Sequence, residues 1–214
     1  VNVPQPDGAT ALHWAAHWDN AEMVDALLAA GANVRVANEY GATPLMLACS
    51  NANAAIIGKL LKAGADANAA IPSGETVLMT CARSGSAEGA RLLVEAGARM
   101  DATDKEQGQN ALMWAVAQKH ADVTKVLLEK GADFKARSKG GFSPLMFAAR
   151  VGDIESARAL LAAGADVNEA MPFIKKAEIP RYPPPPPSDK KDDGPAPGTG
   201  TMTPLIMAAA SGHE

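Results

Sequence analysis

The chain has 214 residues, a formal net charge of −4, 47% hydrophobic residues and only 4% aromatic ones. So mild a charge, with Lys and Arg never clustered on one unit, argues against a nucleic-acid partner. No run approaches the roughly 18 apolar residues that a membrane-spanning helix needs, so no membrane insertion is expected.

In chain order, Val1, Asn2 and Val3 align with Val167, Asn168 and Glu169. They read as the tail of a structural unit, and the chain is expected to continue before Val1. A helix-opening phrase follows, and it recurs along the chain: a capping residue, a small residue or Pro, then Leu. It stands at Thr10-Ala11-Leu12, Thr43-Pro44-Leu45, Thr76-Val77-Leu78, Asn110-Ala111-Leu112, Ser143-Pro144-Leu145 and Thr203-Pro204-Leu205. The second copy shows the logic. Gly41 makes a tight turn, Thr43 caps a helix N-terminus, and Pro44 occupies the first helical position, where its missing N–H costs nothing. The apolar run 45–49 follows. Ile56, Ile57, Leu60 and Leu61 then lie at helical spacing on a second helix, which Gly64 ends. The equivalent glycines are Gly31, Gly64, Gly97, Gly131 and Gly164, spaced 33, 33, 34 and 33 apart.

A fixed period near 33 predicts an all-α solenoid of antiparallel helix pairs, about ten helices in all, with short turns and no sheet beyond turn fingers. The expected units are 5–37, 38–70, 71–103, 104–137, 138–170 and a partial 199–214. Residues 171–199 break the period. They carry the run Pro183 to Pro187 between charged, Gly-rich flanks. This composition cannot form a core and reads as an insertion. The last unit stops between its two helices, so the array is expected to continue there too.

These residues resemble the ankyrin repeat, whose motif is Thr-Pro-Leu-His followed by Gly-Ala-Asp-x-Asn. The second half stands intact at Gly64-Ala65-Asp66-Ala67-Asn68 and Gly164-Ala165-Asp166-Val167-Asn168. The motif histidine is kept only at His13; Met46, Met79, Met113, Met146 and Ile206 replace it, which implies apolar packing in place of the histidine's bonds between neighbouring turns. The resemblance implies a partner-binding surface made of turn tips and the exposed face of each first helix. Carried over residue by residue, that surface includes His17, Trp18, Glu39, Tyr40, Arg83, Gln118, Phe142 and Arg150. Trp18, Tyr40, Phe142 and the two arginines are residue types enriched at binding hot spots.

The expected function is therefore a non-catalytic module that binds a protein or peptide. The alternatives are a structural subunit of a larger assembly and a regulatory domain of an enzyme whose catalytic part lies outside this sequence. The Ala-rich style, with Met for His, resembles bacterial ankyrin arrays, many of them exported. That implies an exported or periplasmic location, with the cytoplasm as the alternative.

Chemistry is otherwise sparse. His13 and His17 stand four apart, a metal-ligand spacing without a third ligand, and His120 and His213 are isolated. The methionines, one per unit, are spaced too far apart to share an ion. No phosphate loop, nucleophile elbow or paired carboxylates appear, so neither an enzyme nor a cofactor is expected. Trp14 and Trp114 share a register with Leu47 and Phe147 and are expected in the core. Cys49 and Cys81 fall on adjacent first helices. With helices packed about 8–10 Å apart and a disulfide needing Cα atoms within about 7 Å, they are expected to be two buried free thiols.

Overall fold

The computed structural model describes residues 1–170, which form ten α-helices and no strand. The stretch 171–199 and the sixth phrase at Thr203 lie outside the described residues. The helices pair as α1 Ala11–His17 with α2 Ala21–Ala29, α3 Pro44–Ser50 with α4 Ala54–Lys62, and α5 Val77–Ser84 with α6 Ala87–Glu95. The last two pairs are α7 Ala111–Ala117 with α8 Ala121–Glu129, and α9 Pro144–Val151 with α10 Ile154–Ala162. Odd-numbered inner helices stack on one another and even-numbered outer helices do likewise, so the chain is an all-α solenoid.

The caps stand where the repeated phrase puts them. Thr43, Thr76, Asn110 and Ser143 accept the backbone N–H of Met46, Met79, Met113 and Met146 at 3.0–3.3 Å. Each outer helix stops at a left-handed glycine. At Gly64, φ is +89°, and the next residue, Ala65, donates back to the Leu60 carbonyl at 3.0 Å. The leucine of the opening phrase (Leu12, Leu45, Leu78, Leu112, Leu145) is buried in every repeat. Leu60, Leu93, Leu127 and Leu160 meet that row from the outer helices, while the second residue of each Leu-Leu pair stays partly exposed. Each fully buried Leu contributes roughly 1.5–3 kcal/mol, and it is a neighbouring repeat that covers it.

The turns between repeats project as fingers joined edge to edge. Glu39 N donates to Asp7 O at 2.9 Å, Lys105 N to Ser73 O at 2.8 Å and Lys139 N to Gln107 O at 2.8 Å. The second-to-third finger lacks this bond because its donor position is Pro72, which has no N–H. Pro72 packs on Gly41 instead, where an added Cβ would meet the proline ring at 2.9 Å.

The four described methionines at the motif-histidine position are buried. Met79 keeps part of the histidine's work: its sulfur accepts Thr76 N–H at 3.4 Å. His13 does the full work. Its Nδ1 accepts Thr10 N–H at 3.1 Å, and its Nε2 lies 3.1 Å from the Ala42 carbonyl of the next repeat. Burial holds its pKa below the ordinary value, against the opposite pull of the Ala42 bond and of Asp7. Protonating Nδ1 would set one N–H against another.

The cysteines correct the expectation of free thiols. Cys49 and Cys81 form a disulfide between α3 and α5, with Cα atoms 4.6 Å apart and both side chains fully buried. Helix packing distances run between axes, whereas Cα atoms ride about 2.3 Å off each axis. Facing Cα atoms therefore approach to about half the axial spacing, provided the seam residues are small. Ala48 and Ala82 keep this seam thin, and Gly89 on α6 leaves room behind the Cys81 sulfur, since a Cβ there would fall 3.1 Å from it and 2.7 Å from Ile57.

Two outcomes are expected. Denatured without reductant, residues 1–170 should take up no alkylating reagent, and after reduction should take up two equivalents at Cys49 and Cys81, read by mass. Closing a loop of this length contributes about 3–4 kcal/mol, so reduction should lower urea stability by that order; unchanged stability would place the loss of chain entropy elsewhere. For His13, the unfolded chain titrates near 6.5 and the folded chain lower. The contribution is thus complete above the unfolded value and declines as pH falls toward the folded one. His13→Met, the residue of the other repeats, should flatten the fall in stability between about pH 7 and 5.

Candidate functional site

The fingers lie beside the inner helices, and backbone bonds join the first finger to the second and the third to the fourth and fifth. Asp104 builds the fourth finger. Its carboxylate accepts backbone N–H groups of Glu106 at 3.0 Å, Gln107 at 2.6 Å and Gln109 at 2.9 Å, and the Trp114 indole N–H at 3.3 Å. Burial alone would push this carboxyl up, but those donors outweigh it and hold its pKa below the ordinary value. Nothing in the sequence pattern singled out Asp104. Its position is Gln5, Asn38, Ile71 and Ser138 in the other repeats, so no repeated motif marks it.

Trp114, thus anchored, is half-buried and carries the Arg83 guanidinium 5.3 Å from its ring centre. Arg83 also pairs with Glu75 at 3.0 Å, and its carbonyl lies 2.9 Å from His120 Nε2. His120 thereby ties the start of α8 to α5, the inner helix of the preceding repeat. In the fifth repeat Arg150 lies over two rings, 5.2 Å from Phe142 and 5.1 Å from Phe147. No carboxylate of the described residues forms an ion pair with it. Glu39 and Tyr40 sit together on the second finger, Tyr40 67% exposed. A hydrogen bond to the Glu39 carboxylate, and that group's charge, hold the Tyr40 phenol above its ordinary pKa. Gln118 caps the C-terminus of α7 and is exposed.

His17 and Trp18 belong to a different cluster. The His17 ring meets Trp14 at 5.9 Å and Trp18 at 5.0 Å, edge to face. The position of Trp18 points back along the solenoid: its equivalent Asn51 donates to the Ala16 and His17 carbonyls of the preceding repeat at 3.1 and 2.7 Å. Trp18, 73% exposed, accordingly lines a depression of about 520 Å³ on the flank of the first repeat, with Trp14, Val3 and Met23. This corrects the expectation that Trp14 is core. Trp14 is 41% exposed, while Phe147 at the same register is buried. No described residue stacks on that side of the first repeat, and the Trp14 indole N–H goes to the Gln5 side chain at 3.2 Å.

No group of three His, Cys, Asp or Glu residues that could hold a metal is gathered among the described residues. None of the described helices is long and apolar enough to cross a membrane. A family model for ankyrin repeats (3 copies) matches residues 1–71, 57–138 and 78–171. The chain belongs to the ankyrin-repeat family. The matches cover all five described helix pairs, so the two features that depart from the motif, methionine for histidine and the inter-repeat disulfide, sit inside an ankyrin array. No curated protein matches the chain. Ankyrin repeats generally mediate protein–protein interaction and are typically non-catalytic.

Removing the Asp104 anchor should be felt both in stability and at Trp114. Asp104→Ala is expected to cost about 2 kcal/mol or more, since hydrogen bonds to a charged group are worth about 1.5–3 kcal/mol. It should also change Trp114 fluorescence relative to a Trp114→Phe reference. Denaturant melts with an unmoved midpoint would show that the finger holds without it.

Proposed function

We propose that this ankyrin array is a non-catalytic binding module that grips a protein or peptide along its fingers and inner helices. The observation that carries the reading is the concentration of Tyr40, Arg83, Phe142 and Arg150 on that one face, in a chain with 4% aromatic residues. Arg83 and Arg150 are held on aromatic rings, so little side-chain freedom remains to be lost on binding. The buried Cys49–Cys81 bond supports an oxidising compartment as the place of work.

For the leading reading, the intact chain is used to capture partners, and variants are compared. Tyr40→Ala and Arg150→Ala should each lose capture, by about 2 kcal/mol or more if they are hot spots. Stability should stay within about 0.5 kcal/mol, as for other surface changes. Lys62→Ala, on an outer helix, should leave both unchanged. Capture that survives Tyr40→Ala and Arg150→Ala would move the partner to another surface.

A further inference from the structure

The charge on this face is divided along the solenoid. In the fingers, inner helices and inter-helix turns of the first two repeats, residues 5–20 and 38–53, stand Asp7, Asp19 and Glu39, with no Lys or Arg. The same segments of the last three repeats, 71–86, 104–120 and 138–153, carry Arg83, Lys105, Lys119, Lys139 and Arg150 against Glu75, Asp104, Glu106 and Asp153. Those carboxylates are mostly withdrawn. Asp104 and Asp153 are 6% and 7% exposed, and the Glu75 side chain is 13% exposed, taken up by Arg83 and by the Thr80 hydroxyl at 2.8 Å. Glu106 is the one that remains outside.

The cations, by contrast, are displayed. All five are exposed. The Lys105 and Lys139 ammonium groups bond along the fingers to the Pro72 and Lys105 carbonyls, which aligns them as a row. Arg150 lies against two rings with no carboxylate of the described residues on it, which leaves the edge of its planar guanidinium free for a bidentate carboxylate, while Arg83, stacked on Trp114, gives one nitrogen to Glu75 and keeps its other N–H groups for a second acceptor.

Building on the reading that this face binds partners, we infer that its last three repeats take an extended acidic segment of a protein, with carboxylates clasped by Arg83 and Arg150. The two arginines stand two repeats apart. At about 8–10 Å per stacked helix that is about 16–20 Å, which an extended chain rising about 3.3 Å per residue covers in about five or six residues. The segment that fits has two acidic clusters at that separation. Its remaining length runs toward the Asp7 and Glu39 end, where a basic or neutral continuation is favoured and an acidic one repelled.

The test uses the intact chain at low salt and short labelled peptides carrying two Glu-Glu pairs separated by about five residues, read by fluorescence anisotropy. The Glu peptide should bind, while its Gln and Lys counterparts should not, and binding should weaken steeply with salt. Arg83→Gln and Arg150→Gln should each weaken it by about tenfold, with Arg150→Lys in between because the charge stays and the stacked fork is lost. Bringing the two Glu pairs together should also weaken it, and Lys62→Ala should not. Thermal melts of each variant confirm that a loss is local. Equal binding of the Gln peptide, or indifference to both arginines, would overturn the inference; binding of a phosphoserine peptide but not the Glu one would do so in favour of phosphate. If the Glu peptide fails while a captured partner still depends on Tyr40 and Arg150, only the acidic inference falls. If that dependence is absent too, the binding face itself falls with it.

Discussion

A pair of helices of seven to nine residues each cannot bury its own apolar side chains, and the rest of the molecule follows from that. Leu45, Leu60 and Ile57 are inaccessible because a helix pair lies on either side of them. The same requirement decides the residues in the seams. Inner helices stack through Ala15, Ala48, Cys49, Cys81, Ala82 and Ala115, all buried and all small, so the backbones come close. Close backbones let side chains of one repeat reach the carbonyls of the one before, as Asn51, Ser84 and Ser86 do. They also bring two cysteines in adjacent repeats within bonding reach. The disulfide is thus a consequence of thin packing, and it ties the second repeat covalently to the third.

Nearest-neighbour stacking also makes the surface. Because the first finger is bonded to the second and the third to the fourth and fifth, side chains that are remote in sequence are set side by side on a stiff support. Arg83 rests on Trp114 of the following repeat, Trp114 is anchored by Asp104 at the base of its finger, and His120 closes back on the Arg83 carbonyl. The ring and the Glu75 carboxylate together hold the guanidinium in one place. Where the ladder is interrupted at Pro72, Tyr40 lies on the finger just before the gap, beside the boundary between the acidic and basic parts of the face.

The first repeat shows what happens where the constraint is not met. Met23 is 49% exposed, whereas its equivalents Ile56 and Val123 are fully buried. The three positions share a register on outer helices α2, α4 and α8, and among the described residues only Met23 has no helix pair before it. Trp14 and Trp18 belong to the same uncovered flank, and their exposure reflects position in the stack and not residue type.

How much of this was legible without coordinates depends on the range of the interaction. The sequence by itself determined the helices, their caps at Thr43, Thr76, Asn110 and Ser143, their glycine stops, the period and the leucine row, because each rests on contacts within a few residues or on a pattern repeated five times. A fixed period also converts register into an expected location, which is how Tyr40, Arg83, Phe142 and Arg150, with His17 and Trp18, come to be expected on one face. Only the tertiary structure decided how close equivalent atoms come, which flank is covered, and what each side chain on the face touches. The spacing between helix axes does not give the distance between Cys49 and Cys81, because Cα atoms lie off those axes, and register does not give the burial of Trp14, which depends on a neighbouring helix pair. Asp104 carries no sequence signal because the residue type at its position changes in every repeat, even though Gln5 accepts the Trp14 indole there and Asn38 and Ser138 accept backbone N–H groups of their own fingers.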